Sequence, residues 1–363
     1  MTPEQKAKSK SIANPKLKLK PLNDQVIVIT GASSGIGLAT ARLAASRGAK
    51  VVLSSRNLQA LLEICTELTG RGGKVLAVEA DVSLAEDMKR LAERSLAEFG
   101  RIDTWVNNAG LSIYGKLTEI PLEEKRRLFD VNFWGVVNGC RAAVPILRES
   151  GGALINIGSI LSERAVPIQG IYSASKHAVK AYTDALRMEL EAEGAPVSVT
   201  LVKPAAIDTP FPAHAVSHLS SPPQHAAPVY APEIVAEAIL ECAVSGQRDI
   251  FVGGSAKWLS LLETFLPRIA DMLMEKNMME DGQSSSILPV TRQKPALFHA
   301  PHREGAVHGD YNGRVKTTSA YTTIALHPGT AALIAAGLGM ATAVGIGLWQ
   351  SKKSLSTEQR ILH

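Results

Sequence analysis

Tyr172 and Lys176 stand four residues apart in the run Tyr-Ser-Ala-Ser-Lys, which opens a helical stretch through Leu190. That spacing puts both side chains on one face of a helix. A free phenol ionises near pH ~10, and a neighbouring ammonium favours the phenolate and lowers that value. Such a phenol can give a proton to a carbonyl oxygen, or take one from an alcohol, near neutrality. Ser159 follows the apolar run Leu154–Ile157, whose end is expected at the carboxyl edge of a sheet, where ligands bind. Its hydroxyl would orient a substrate oxygen beside the phenol. A Tyr-x-x-x-Lys pair is common on helices, so it takes its meaning only from its surroundings.

The second chemical signal is Thr30-Gly31-Ala32-Ser33-Ser34-Gly35-Ile36-Gly37, at the junction of an apolar run and a helical one. Glycines let the backbone turn tightly and approach a pyrophosphate, and the new helix offers free N–H groups. The spacing is G-x-x-x-G-x-G rather than the commoner G-x-G-x-x-G. The next apolar run, Val51–Leu53, ends in Ser54-Ser55-Arg56. A dinucleotide site for NAD usually carries an acid there, to hold the ribose hydroxyls. None is present, and Arg56 would pair with a 2′-phosphate, which points to NADP (NADPH). The plainer reading of Arg56 is a solvated surface arginine.

These groups need a scaffold. Seven short apolar runs, Val26–Thr30, Val51–Ser54, Val75–Glu79, Thr104–Asn107, Ala153–Ile157, Val197–Val202 and Asp249–Val252, alternate with amphipathic stretches such as Leu38–Ser46 and Met88–Phe99. Near-continuous apolar strands separated by helices imply an α/β protein with a doubly wound parallel sheet. Residues 205–230 are rich in Pro, Ser and His and read as a long loop of the kind that forms lids. His214, His218 and His225 within it lack a Cys or Asp partner, so no metal site is expected. The stretch 258–273 places Trp258, Leu261, Leu262, Phe265, Ile269, Met272 and Leu273 on one face, for domain packing, a substrate pocket or a membrane surface.

The chain of 363 residues is 45% apolar and 20% charged, ordinary globular composition. Six lysines crowd the first twenty residues, which read as a basic flexible tail (1–21); no nucleic-acid partner is expected. Cys65, Cys140 and Cys242 are scattered and odd in number, against a disulfide framework. Residues 276–326 read as a connector. Thr330–Trp349 then runs for twenty residues without a charge, the length of a membrane-spanning helix (327–350), before a short tail, 351–363. A helix buried in a dimer is the competing reading. Membrane association with a cytoplasmic catalytic domain is therefore expected, with a soluble cytoplasmic protein as the alternative.

Thr30–Gly37, Asn107-Asn108-Ala109-Gly110, Asn132, Ser159, Tyr172 and Lys176 resemble, in order and spacing, the short-chain dehydrogenase/reductase family. The likeness covers 22–275 and implies one Rossmann-like catalytic domain with an irregular C-terminal extension. It implies that Tyr172 is the acid/base, that Lys176 binds the nicotinamide ribose and lowers the tyrosine pKa, and that Ser159 holds the substrate oxygen. It further implies that Asn132 anchors a water of the proton relay and that Asp81 and Val82 lie at the adenine. Gly31, Ser33, Ser34, Gly35, Ile36 and Gly37 would line the cofactor, as would Arg56, Asn108, Ala109, Gly110, Pro204, Ile207 and Thr209. The family commonly has Pro-Gly where this chain has Pro204-Ala205. The expected reaction moves a hydride between NADP and a small carbonyl or alcohol, with an apolar one among the readings, in a homo-oligomer. A catalytically idle NADP-binding sensor or scaffold at a membrane is the alternative.

Overall fold

The computed structural model describes residues 17–219, 227–276, 297–300 and 304–327. Each expected apolar run is a strand, extended at its ends by at most two residues: β1 (Val26–Thr30), β2 (Lys50–Ser55), β3 (Lys74–Glu79), β4 (Thr104–Asn107), β5 (Gly152–Ile157), β6 (Val197–Pro204) and β7 (Asp249–Val252). All neighbours are parallel, in the order β7-β6-β5-β4-β1-β2-β3. Every residue of β1, β5 and β6 is buried, so both faces of the sheet are covered. That double burial explains why these strands read as unbroken apolar runs rather than alternating ones.

Helices carry the chain from strand to strand: α1 (Gly35–Ser46), α2 (Leu58–Gly70), α3 (Ala85–Phe99), α4 (Leu122–Phe129), α5 (Gly135–Ser150), α6 (Gly170–Ala192), α7 (Pro232–Ser245), α8 (Gly254–Phe265) and α9 (Pro267–Glu275). α1 packs on α7, and α3 packs on α5. α3 stops where Gly100 takes φ +76° and its N–H caps the Leu96 carbonyl at 2.8 Å, a left-handed end that favours glycine. The strand order reverses between β1 and β4, so the loops that leave their carboxyl ends part there and open a crevice.

The described parts of 205–230, residues 205–219 and 227–230, carry more order than their composition suggested. Ala206–Ile207 pairs with Val229–Tyr230, Val216–Ser217 pairs with Ile113–Tyr114, and Phe211–His214 forms one helical turn. The region expected as a connector also contributes a strand. Val315–Lys316 pairs in parallel with Val229–Tyr230, and one compact unit extends to Ser319. Ala320–Leu326 is a short helix of a second unit. Among the described residues no helix is long and apolar enough to cross a membrane, and the apolar stretch 330–349 lies outside them.

At the edge of the sheet away from the crevice, the buried carboxylate of Asp103 accepts from Val26 N at 2.9 Å and Lys20 Nζ at 3.0 Å, and it is paired with Arg101. Asp103→Ala strands the Val26 N–H and should lower stability by about 2 kcal/mol. A denaturant midpoint unchanged from wild type would remove this carboxylate from the fold's supports.

Candidate active site

Thr30, the last residue of β1, organises the crevice. Its hydroxyl donates to Val106 O at 3.3 Å and accepts from the N–H groups of Asn108 (3.0 Å) and Ala109 (3.2 Å). Asn108 Nδ2 returns bonds to the carbonyls of Thr30 (2.9 Å) and Gly31 (3.1 Å). The two loops thus lie in contact, and only glycine fits between them. A Cβ at Gly37 would stand 2.1 Å from Gly31 O, and one at Gly31 would stand 2.8 Å from Ala109 Cα.

A cavity of about 580 Å³ runs from this turn across the sheet edge. At one end it is lined by Gly31, Ser33, Ser34, Gly35, Ile36, Arg56, Asp81 and Val82. Asn108, Ala109, Gly110, Pro204, Ile207 and Thr209 line its middle, and Ser159, Tyr172 and Lys176 its floor. Of the residues expected at the site, Gly37 and Asn132 stand behind the wall. Gly37 supports the turn, and Asn132 is fully buried.

Asn132 lies in a single π-helical turn, Asp130–Trp134, between α4 and α5. Such bulges aim side chains that a regular helix would not. Its amide bonds both backbone groups of Leu111, at 2.8 and 2.9 Å, and donates to Ser175 Oγ at 3.1 Å. Its side chain therefore ties the loop after β4 to α6.

Burial governs Tyr172 and Lys176. It pushes the Tyr172 phenol up to about 12, and the neighbouring Ser159 hydroxyl only draws it partly back. Burial also brings Lys176 down to about 8. The net shift of the phenol is thus upward, with burial its largest cause. Lys176 Nζ donates to Ile157 O at 2.8 Å and lies 5.7 Å from the centre of the Tyr172 ring, so burial of the phenol dominates. Ser159 Oγ also accepts from Leu161 N at 3.1 Å and caps a short 3₁₀ turn, which fixes its place beneath the phenol.

Arg56 is not a free surface cation. Its guanidinium donates to the carbonyls of Leu297 (3.4 Å) and His299 (3.3 Å), and burial lowers its pKa. Burial alone would raise the Asp81 carboxyl. Bonds from Ser83 and from Arg127, at 2.6 Å, more than offset it and the net shift is downward. Beside Tyr172 the cavity is apolar, with Val166, Phe211, Trp258 and Leu259 in its wall. Phe211 packs edge-on to Tyr172 at 5.7 Å. Arg164 holds α8 and α9 over this end by pairing with Glu263 and, at 2.5 Å, with Asp271. Ile168 takes φ +57°, rare for a branched residue, just before α6. His214 lines the cavity and His218 pairs with Glu124 at 2.7 Å, while His225 lies outside the described residues.

Residues 25–219 match the short chain dehydrogenase family. The chain belongs to that family. It is a short-chain dehydrogenase/reductase oxidoreductase. Over 328 residues it is 47% identical to an uncharacterised oxidoreductase, YxnA, of Bacillus subtilis, a match spanning 89% of this chain and 91% of that protein. A short-chain dehydrogenase/reductase from Burkholderia phymatum, solved in complex with NAD, superposes with a TM-score of 0.63 at 26% identity, covering 74% of this chain and all of that one. An alcohol dehydrogenase from Thermococcus sibiricus, solved with 5-hydroxy-NADP, gives a TM-score of 0.56 at 30% identity, covering 62% of this chain and 95% of that one.

Sequence reasoning did not find Glu304, which lines this crevice, or Arg127 and Leu297, which bond its lining residues Asp81 and Arg56. No local pattern marks them, because their partners lie far away in the chain. Within the family's glycine turn, Gly37→Ala should cost about 1–3 kcal/mol by overpacking. An unfolding midpoint equal to wild type would show that the contact with Gly31 is relaxed.

Proposed function

We propose that this oxidoreductase moves a hydride between NADP(H) and a small carbonyl or alcohol, with Tyr172 as proton donor and acceptor. One observation carries the reading: a single cavity joins a glycine-walled helix N-terminus and Arg56 at one end to Ser159, Tyr172 and Lys176 at the other. The turn fits a dinucleotide. Its backbone is close-packed below by glycines, and α1 begins there at Gly35, whose N–H is held by Ala306 O at 2.9 Å. A nicotinamide cofactor bound there supplies or accepts the hydride.

The chain's own groups do the rest. The Ser159 hydroxyl holds the substrate oxygen, and Tyr172 gives that oxygen a proton. Burial keeps the phenol protonated across neutrality, the form that gives a proton to a carbonyl oxygen. Lys176, where charged, compensates the phenolate left behind. Arg56 receives the 2′-phosphate, since β2 ends without an acid that would repel it. The wall of Val166, Phe211, Trp258 and Leu259 supports an apolar substrate, continuous with the exposed apolar face of Trp258, Phe265, Ile269 and Met272.

Tyr172→Phe should lower kcat by about 10²–10⁴-fold while NADPH binding stays within twofold, because only the proton-carrying oxygen is lost. Turnover near the wild-type rate would assign the proton to another group. At limiting NADPH the rate reports ionisations of the free enzyme. It should fall as pH rises through about 8, where buried Lys176 loses its charge. A rate that is flat through that range would contradict a role for the charged amine.

A further inference from the structure

The chain returns to the adenosine end of the cavity after a long excursion. Glu304 lines that end, among the same residues that line the glycine turn. The Arg56 guanidinium and the side chains of Ser33 and Asn57 act on its carboxyl, and its Oε2 is buried with no hydrogen-bond partner among the described residues. The segment that carries it is pinned on both sides. Gly305 N donates to Ser33 O at 2.8 Å, and Gly35 N, at the start of α1, donates to Ala306 O at 2.9 Å. His308 bridges Asp208 (3.3 Å) and Glu233 (2.9 Å). Gly309 lies so close to the loop after β6 that a Cβ there would meet Thr209 O at 2.5 Å. Gly305 itself takes φ +94°, a conformation that favours glycine.

A carboxylate beside Arg56, Ser33 and Asn57 stands where an anion of the cofactor would be received. We propose that Glu304 is a specificity-determining residue that occupies the 2′-phosphate subsite, so that NADP(H) must displace its carboxylate whereas NAD(H), which lacks that phosphate, need not. This rests on the reading of Arg56 as the 2′-phosphate partner. Two like charges cannot share one guanidinium without mutual repulsion in a half-buried site. Burial raises the Glu304 carboxyl above its usual range, as expected of a charge held with incomplete pairing. The native preference for NADP(H) is therefore blunted from within the chain. A neutral side chain at position 304 sharpens it.

Full-length wild type, Glu304→Gln, Glu304→Ala and Gly305→Val are titrated with NADPH and with NADH, following cofactor fluorescence. Both Glu304 variants should bind NADPH about tenfold more tightly, the effect of ~1.4 kcal/mol, with NADH changed less than twofold. Gly305→Val, which strains the segment's turn, should move NADPH affinity the same way. A wild type that prefers NADPH, with variants unchanged, overturns the proposal and leaves the cofactor preference standing. A wild type that prefers NADH, with variants that gain NADPH, supports the proposal and contradicts the native preference. Equal tightening of both cofactors overturns it, because the segment then acts without regard to the phosphate.

Discussion

The carbonyl of Gly31 lies 2.1 Å from where a Cβ at position 37 would be, and the loop after β4 presses on the same turn. This close backbone approach is the constraint that the rest of the site depends on. It exists because β1 and β4 are neighbours at the point where the strand order reverses. Their loops would otherwise diverge, and Thr30 and Asn108 hold them together through five hydrogen bonds to backbone groups. With the turn held down, α1 starts at the crevice, where the Gly35 N–H meets the carbonyl of Ala306 at 2.9 Å.

The far end of the cavity is positioned by buried amides. Asn107 at the end of β4 receives Trp105 Nε1 at 2.8 Å and donates to Asn156 of β5 at 2.8 Å; Asn156 donates in turn to Thr183 of α6 at 2.9 Å. Asn132 adds a second tie from α6 to the loop after β4. Each polar group in this chain is fully buried and satisfied, so slippage of α6 along the sheet would orphan several at once. Tyr172 and Lys176 ride on that helix. Their placement under the crevice follows from contacts one or two turns away as much as from their own spacing.

What was legible in the sequence is what local pattern encodes. Strands buried on both faces leave unbroken apolar runs, so β1 to β7 stood out, and the glycine turn and Tyr172–Lys176 carry their geometry in short spacings. Two features were hidden. The direction of the Tyr172 shift depends on burial by Phe211 and its neighbours, which no spacing reveals. The contacts of Arg56 with the carbonyls of Leu297 and His299 join residues more than two hundred positions apart, through backbone atoms that have no sequence signature. Within the stretch 276–326 that read as a connector, residues 304–319 lack apolar periodicity, because their order comes from hydrogen bonds to the rest of their compact unit and not from a core of their own.

The account's central claim is that one cavity brings a nicotinamide cofactor and a carbonyl together beneath Tyr172. The most direct test uses NADPH deuterated at the transferable position of the nicotinamide, with a panel of apolar ketones and aldehydes and mass analysis of the products. The account predicts one deuterium on the carbinol carbon of at least one product, and none when Tyr172→Phe replaces the wild type. Tight cofactor binding with no deuterium transferred to any carbonyl would contradict it.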